Sequence, residues 1–412
     1  MKKTFDRRLI LAVSCIMNLC MGANYAWSVF AGPLSQRIND INGFAGADTL
    51  HAGDLTIAFA VMHAILPVAM ICGGAINDRF GPRLLVFCGS LMYGGGMILT
   101  GLVQSVFSLV AVYGILAGLG FGLIYTCTVN NSVKFFPDKK GLIGGLTTAS
   151  YGVSPVIFSP AIQNMIERWG VSYTLKLLGI VLATLICAGS FFLAKCPADY
   201  APPGFAPLKI AAKGGDREHN WRQMLSRPHF YVMFFLFTCG SLPGLMMISQ
   251  ASTIAQEMVS MPLAAAALMV SLLAFFNAAG RALCGYMSDK LGRINVITVA
   301  IVASLVGLLL LYISSRQSVV FFAIGICLVG FCFGSFLGIF PGFTADRFGI
   351  SNNSVNYGIM FLGFSVGSLT GPSLIHLVRQ KTGSYQAAFL ISAALVLCGL
   401  FLTLLYRKIE RD

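Results

Sequence analysis

The sequence predicts an all-α membrane protein of twelve transmembrane helices arranged as two six-span halves. Three observations carry that expectation: a composition too apolar for a water-soluble surface, apolar runs of membrane length along the whole chain, and one charged loop motif written twice at half-chain spacing. Of 412 residues, 57% are hydrophobic and 10% charged, with a mean hydropathy of +0.80. Too little polar material is left to cover a soluble fold. Runs of about 20 apolar residues are long enough to cross ~30 Å of hydrocarbon as helix. They fall near 10–34, 55–77, 84–104, 107–130, 141–162, 173–195, 228–250, 263–287, 294–314, 318–341, 356–378 and 384–406.

Orientation follows from Lys and Arg, which stay on the cytoplasmic side of the spans they flank. With both termini inside, only Arg37, Arg168, Lys176, Arg316, Arg379 and Lys381 fall outside, and Arg281 lies within a span. The other basic residues are then all cytoplasmic. The net charge of +13 is thereby a topology signal and needs no nucleic acid. The opening "MKKTFDRRLILAVSCIMNLCMGANYAWSVF" has a basic start before an apolar core, as a signal peptide does. Its apolar run is long and no small-residue cleavage site closes it, so it is read as an uncleaved first span. The twelve Cys fall mostly within spans and form no C-x-x-C pair, so neither a metal site nor a disulfide framework is expected.

The motif Gly74-x-x-x-Asp78-Arg79-x-Gly81-Pro82-Arg83 follows the second span. Gly285-x-x-x-Asp289-Lys290-x-Gly292-Arg293 follows the eighth, 211 residues later. Equal positions in two halves indicate an internal repeat. Between the halves a polar stretch rich in Pro and Gly reads as a cytoplasmic linker. The expected domains are therefore 1–195 and 228–412, joined by 196–227. Gly74 and Gly285 allow close helix approach. Asp78 and Asp289 can pair with basic groups or a helix N-terminus. Together with Arg79, Lys290 and Arg293 they are expected to form a latch that breaks when the inner gate opens; the competing reading is a charged tight turn alone.

This duplicated loop resembles the signature of the major facilitator superfamily. The resemblance implies two pseudo-symmetric six-helix bundles rocking around a central site. "NYAWSVFAGPL" (24–34), "VKFFPDKKGLIGGL" (133–146), "NAAGRALCGYMSDKLGR" (277–293) and "NYGIMFLGFSVGS" (356–368) together resemble a narrower group. That group is the oxalate/formate antiporter family, which also contains bacterial lactate- and pyruvate-type carriers.

Arg281 is the informative charge. A cation near the centre of a membrane helix costs ~2.5–3.5 kcal/mol even on the mild insertion scale, so it must face protein or a cavity. It lies eight residues before Asp289, about 12 Å along the helix, too deep for easy snorkelling. A buried ion pair would need an internal acid, yet none of the 15 acidic residues falls well inside a span. The natural partner is a carboxylate that arrives as substrate. A guanidinium suits that role because it stays charged and its planar fork can make two parallel hydrogen bonds. Asn277, at i−4, shares its face and can orient the guanidinium or a substrate hydroxyl. In the resembled family the helix 8 arginine is the substrate anion's ligand, and Arg281 matches it.

The resemblance also implies an aromatic box, with Tyr25, Tyr125, Tyr151, Phe333 and Phe361 at the matching positions and Phe336 and Trp27 as weaker candidates. Taken singly, each has packing as its simpler reading. Oxalate-exchanging relatives carry a lysine in helix 11 where this chain has Phe364. One cation then faces the cavity, so a dicarboxylate would leave a charge unpaired. The expected substrate is a lactate- or pyruvate-like monocarboxylate; the alternatives are a dicarboxylate exchanger of oxalate/formate type or a non-transporting anion sensor.

His63 is the other titratable nitrogen well inside a span, a packed histidine or a proton relay. Animal monocarboxylate carriers typically have an acid before their helix 8 arginine, where Gly280 stands here. Gly114, Gly118, Gly120, Gly122, Pro155 and Pro160 read as close packing and helix bending. No H-E-x-x-H or Walker A motif is present, so no enzyme activity and no cofactor is expected. Expected partners are the organic anion, membrane lipid, and protons or a counter-anion, with a functional monomer in the inner (cell) membrane.

Overall fold

The computed structural model describes residues 6–197, 200, 218–315 and 318–411. Among them no strand occurs, and eleven helices are long and apolar enough to cross a membrane. One of these, Lys140–Ser190, has 51 residues, about 76 Å of helix and more than twice the hydrocarbon thickness. It breaks at Gly170, whose φ of 76° and ψ of 163° suit glycine alone. Divided there, the described residues hold twelve segments of membrane-spanning length.

In order, the spans are Arg7–Asn42, Thr56–Phe80, Pro82–Thr100, Val106–Phe135, 140–169, 171–190, Pro228–Val259, Leu263–Leu291, Arg293–Ile313, Val319–Phe348, Asn353–Thr382 and Gln386–Arg411. They are numbered 1 to 12 below. Most outrun the apolar stretches that predict them, because helices continue into polar turns at both faces. The expected linker 196–227 falls largely, and Arg316 wholly, outside the described residues.

Two seams join the halves: span 5 packs on spans 8 and 10, and span 2 on span 11. At the first, a Cβ on Gly285 would lie 2.5 Å from the Gly141 carbonyl oxygen. At the second, a Cβ on Gly74 would lie 2.8 Å from the Ser354 backbone. The paired motif glycines thus do what their spacing predicts. The span 4 glycines also serve packing: a Cβ would come within 3.0 Å of Val61 at Gly114, 2.6 Å of Ile65 at Gly118 and 2.6 Å of Ala69 at Gly122. Two irregularities were not expected. Span 1 tightens to a 3₁₀ turn over Gly22–Ala26, and span 4 widens to a π turn over Val110–Ala117.

Candidate functional site

Arg281 is completely buried at the span 5–span 8 seam, 0% exposed. Glycines make that possible. A Cβ on Gly152 would sit 3.2 Å from its Nε, and Cβ atoms on Gly145, Gly334 or Gly338 would collide with the backbone of Asn277 or Arg281. The guanidinium is held from two sides. Nε donates to Asn277 Oδ1 (2.8 Å), as the i−4 spacing predicts, and Nη1 donates to the Thr148 carbonyl (2.8 Å) in the other half. Its Cζ lies 5.3 Å from the Tyr151 ring centroid. Nη2 has no hydrogen-bond partner. An unmet charged donor in a dry interior is costly, and a ligand that accepts from it recovers that cost.

Beside this guanidinium lies a small cavity of about 10 Å³, room for one water, lined by the buried residues Tyr25, His63, Leu66, Phe121, Tyr125, Tyr151, Arg281, Leu337, Phe361 and Phe364. Among these residues Arg281 is the only permanent cation, and none carries a carboxylate. The 3₁₀ turn places Tyr25 here, edge-on to Tyr151 at 4.5 Å and stacked on His63 at 5.7 Å. Tyr151 stacks on Phe121 (5.3 Å) and donates its hydroxyl proton to Asn24 Oδ1 (2.7 Å). Tyr125 meets Phe361 at 5.8 Å, and Phe361 meets Phe364 at 4.5 Å.

Arg281, Tyr25, Tyr125, Tyr151, Phe361, Phe364 and His63 therefore come together, with Asn277 behind the arginine. Phe333 and Phe336 do not reach the cavity. Phe333 packs on Gly244 and stacks behind Phe364 (6.2 Å), while Phe336 packs on Gly240 and stacks on Phe340 (5.7 Å). Trp27 lies higher, in the wall of a vestibule of about 750 Å³ at the end opposite the charged motifs. Pro155 and Pro160 line the same vestibule. Phe121, Leu66 and Leu337 are cavity residues that sequence reasoning missed.

The motif end is closed. Gly141 and Leu142, opening span 5, donate their backbone N–H groups to Asp289 Oδ1 (2.9 Å) and Oδ2 (2.8 Å). Arg293 pairs with Asp289 (2.7 Å) and Asp346 (2.8 Å), and Lys140 reaches Asp346 from the other half (3.0 Å). The copy in the first half is weaker. Asp78 pairs with Lys134 inside its own half (2.6 Å) and accepts one cross-half bond, from the Ser354 hydroxyl (2.7 Å). Arg79 and Lys290, expected in this network, stand outside it and make no ion pair among the described residues. Their cationic groups lie over Phe80 (5.1 Å) and Tyr286 (4.6 Å), long side chains lying along apolar surface. At the far end Arg379 pairs with Glu257 (2.9 Å), which also accepts from the Tyr385 hydroxyl (2.9 Å). Burial, and then that carboxylate, push the Tyr385 phenol up to about 12. These bonds lie within one half and leave the vestibule open.

A family model described as Major Facilitator Superfamily matches residues 13–315 and 246–412. The chain belongs to the major facilitator superfamily. Among its curated relatives, the uncharacterized MFS-type transporter YhjX of Escherichia coli is 28% identical over 363 residues, covering 88% of this chain and 86% of that one. The oxalate:formate antiporter of Oxalobacter formigenes is 29% identical over 392 residues, with 93% and 87% covered. Human monocarboxylate transporter 11 is 27% identical over 363 residues, with 84% and 72% covered. The fold is shared with the Escherichia coli fucose:proton symporter at a TM-score of 0.66 and 15% identity, covering 96% of this chain and 98% of that one. The protein is thus a multi-pass transporter of this superfamily with relatives that carry small organic anions.

Proposed function

We propose that this transporter carries small monocarboxylates of lactate or pyruvate type by alternating access, with Arg281 as the carboxylate ligand. The observation that carries the reading is the unpartnered Nη2 of a wholly buried arginine beside a ring-walled cavity whose lining holds no acid. A carboxylate accepting from Nη2 and from the second N–H of Nη1 would compete with Thr148 for the guanidinium, weakening a bond between the halves. Binding would in this way loosen the central layer, while Asp289, Asp78 and Arg293 act as the latch at the motif end. The basic residues around the motifs favour a cytoplasmic motif end, with both termini inside a cell or inner membrane, and the vestibule then faces outward.

A dicarboxylate exchanger is the second reading, favoured by the similarity to the oxalate:formate antiporter. Against it stands Phe364 in the cavity wall, packed among the rings of Phe361, Phe333 and Phe237. A dianion here would keep one charge desolvated and unpaired, a penalty of several kcal/mol. Competition for labelled L-lactate uptake into proteoliposomes separates the two. Pyruvate should compete and oxalate should not; oxalate competing better than pyruvate refutes the single-cation argument. No uptake, with binding retained, would leave a sensor.

A further inference from the structure

We propose that His63 is a substrate ligand that distinguishes 2-hydroxy from 2-oxo monocarboxylates, its Nε2 accepting a hydrogen bond from the hydroxyl of a substrate whose carboxylate lies on Arg281. This rests on the reading of Arg281 as carboxylate ligand and adds which substituent the cavity prefers.

The tautomer follows from the neighbours. His63 Nδ1 lies 2.9 Å from the Phe59 carbonyl oxygen, which can only accept, so Nδ1 carries a proton. In the neutral ring Nε2 is then a bare acceptor. The ring is 1% exposed and lines the same cavity as Arg281. Phe59 (4.2 Å), Phe121 (6.3 Å) and Phe364 (6.2 Å) surround it with carbon. The titratable or charged groups that share its cavity are Tyr25, Tyr125, Tyr151 and Arg281, with no carboxylate in the lining to hold an imidazolium beside the guanidinium.

The Tyr151 hydroxyl lies 3.5 Å from Nε2, at the outer limit of a hydrogen bond, and 2.7 Å from Asn24 Oδ1. It has one proton, and the short contact takes it. Asn24 is set for this by its amide Nδ2, which points to Met62 Sδ (3.7 Å). Nε2 is left as a buried acceptor without a well-placed donor, in the same cavity as a buried cationic donor without an acceptor. A 2-hydroxy acid is complementary to both: its carboxylate accepts from Arg281 and its hydroxyl donates to His63. A 2-oxo acid turns a carbonyl lone pair toward the Nε2 lone pair, and an unsubstituted acid leaves Nε2 unmet.

The test is equilibrium binding of L-lactate, pyruvate and propionate to the purified full-length transporter at neutral pH, for wild type, His63→Phe and Arg281→Gln. Wild type should favour lactate over the other two by about tenfold, the scale of one hydrogen bond to a buried acceptor. In His63→Phe the lactate-to-propionate ratio should fall to about one; Arg281→Gln should lose all three ligands. Equal affinities in wild type overturn the proposal without any variant. A tenfold lactate preference surviving in His63→Phe overturns it as well, with the carboxylate reading intact. Undiminished binding of all three acids by Arg281→Gln instead removes the carboxylate reading, and this inference with it.

Discussion

Asp289→Asn should shift the transporter toward states open at the motif end. In the closed state the Asp289 carboxylate accepts from the Gly141 and Leu142 N–H groups at 2.9 and 2.8 Å and pairs with Arg293 at 2.7 Å. An asparagine fits the space but offers one oxygen, so its NH₂ faces the second backbone donor. A charge-assisted bond contributes roughly 1.5–3 kcal/mol against roughly 0.5–1.5 for a neutral one, and a carboxylate at a helix N-terminus adds about 0.3–1 kcal/mol. Arg293 keeps Asp346 and limits the loss. The closed state should therefore weaken by about 2–4 kcal/mol, an equilibrium shift of roughly 30- to 1000-fold. Asp78→Asn should do less, since its one cross-half partner is the Ser354 hydroxyl. Spin labels on Arg79 and Lys290, exposed residues outside the latch, report the separation of the halves at this end. A distance distribution unchanged in Asp289→Asn, or moved more by Asp78→Asn, refutes the reasoning.

Three further outcomes are expected. Phe364→Lys should move selectivity toward dianions, read as oxalate gaining at least tenfold in competition with lactate; unchanged ranking would place residue 364 outside the substrate's reach. Gly285→Ala puts a Cβ 2.5 Å from the Gly141 carbonyl oxygen, so uptake should fall severalfold while the protein still folds, and wild-type uptake would show that the seam yields. For coupling, uptake is measured from about pH 5 to 8 in wild type and His63→Ala. Loss of any proton dependence in the variant assigns it to His63, and an unchanged profile removes His63 from coupling.

Much of this was legible in the sequence because membrane physics writes in long strokes. Twelve apolar runs, the Gly-x-x-x-Asp repeat and one isolated Arg are visible without neighbours, and the i−4 spacing of Asn277 to Arg281 is a local helical relation. The hidden part depends on contacts across the chain. Lys140, Asp346 and Ser354 complete the latch from more than 50 residues away in sequence from the partners they bind, and nothing local marks them. Phe121, Leu66 and Leu337 line the cavity while Phe333 and Phe336 pack behind it, because an apolar residue carries no sign of which face it will present. The 3₁₀ turn that brings Tyr25 to the site follows from Gly22, whose backbone abuts Tyr151 and Ser154 of span 5, again a distant partner.

The most direct measurement is uptake of labelled L-lactate into proteoliposomes by wild type, Arg281→Lys and Arg281→Gln, with folding checked by thermal melting. Lysine keeps the charge but cannot keep the fork that reaches Asn277 and Thr148 while presenting Nη2. The account predicts impaired uptake for Arg281→Lys and near abolition for Arg281→Gln in folded protein; wild-type uptake by Arg281→Gln would contradict it.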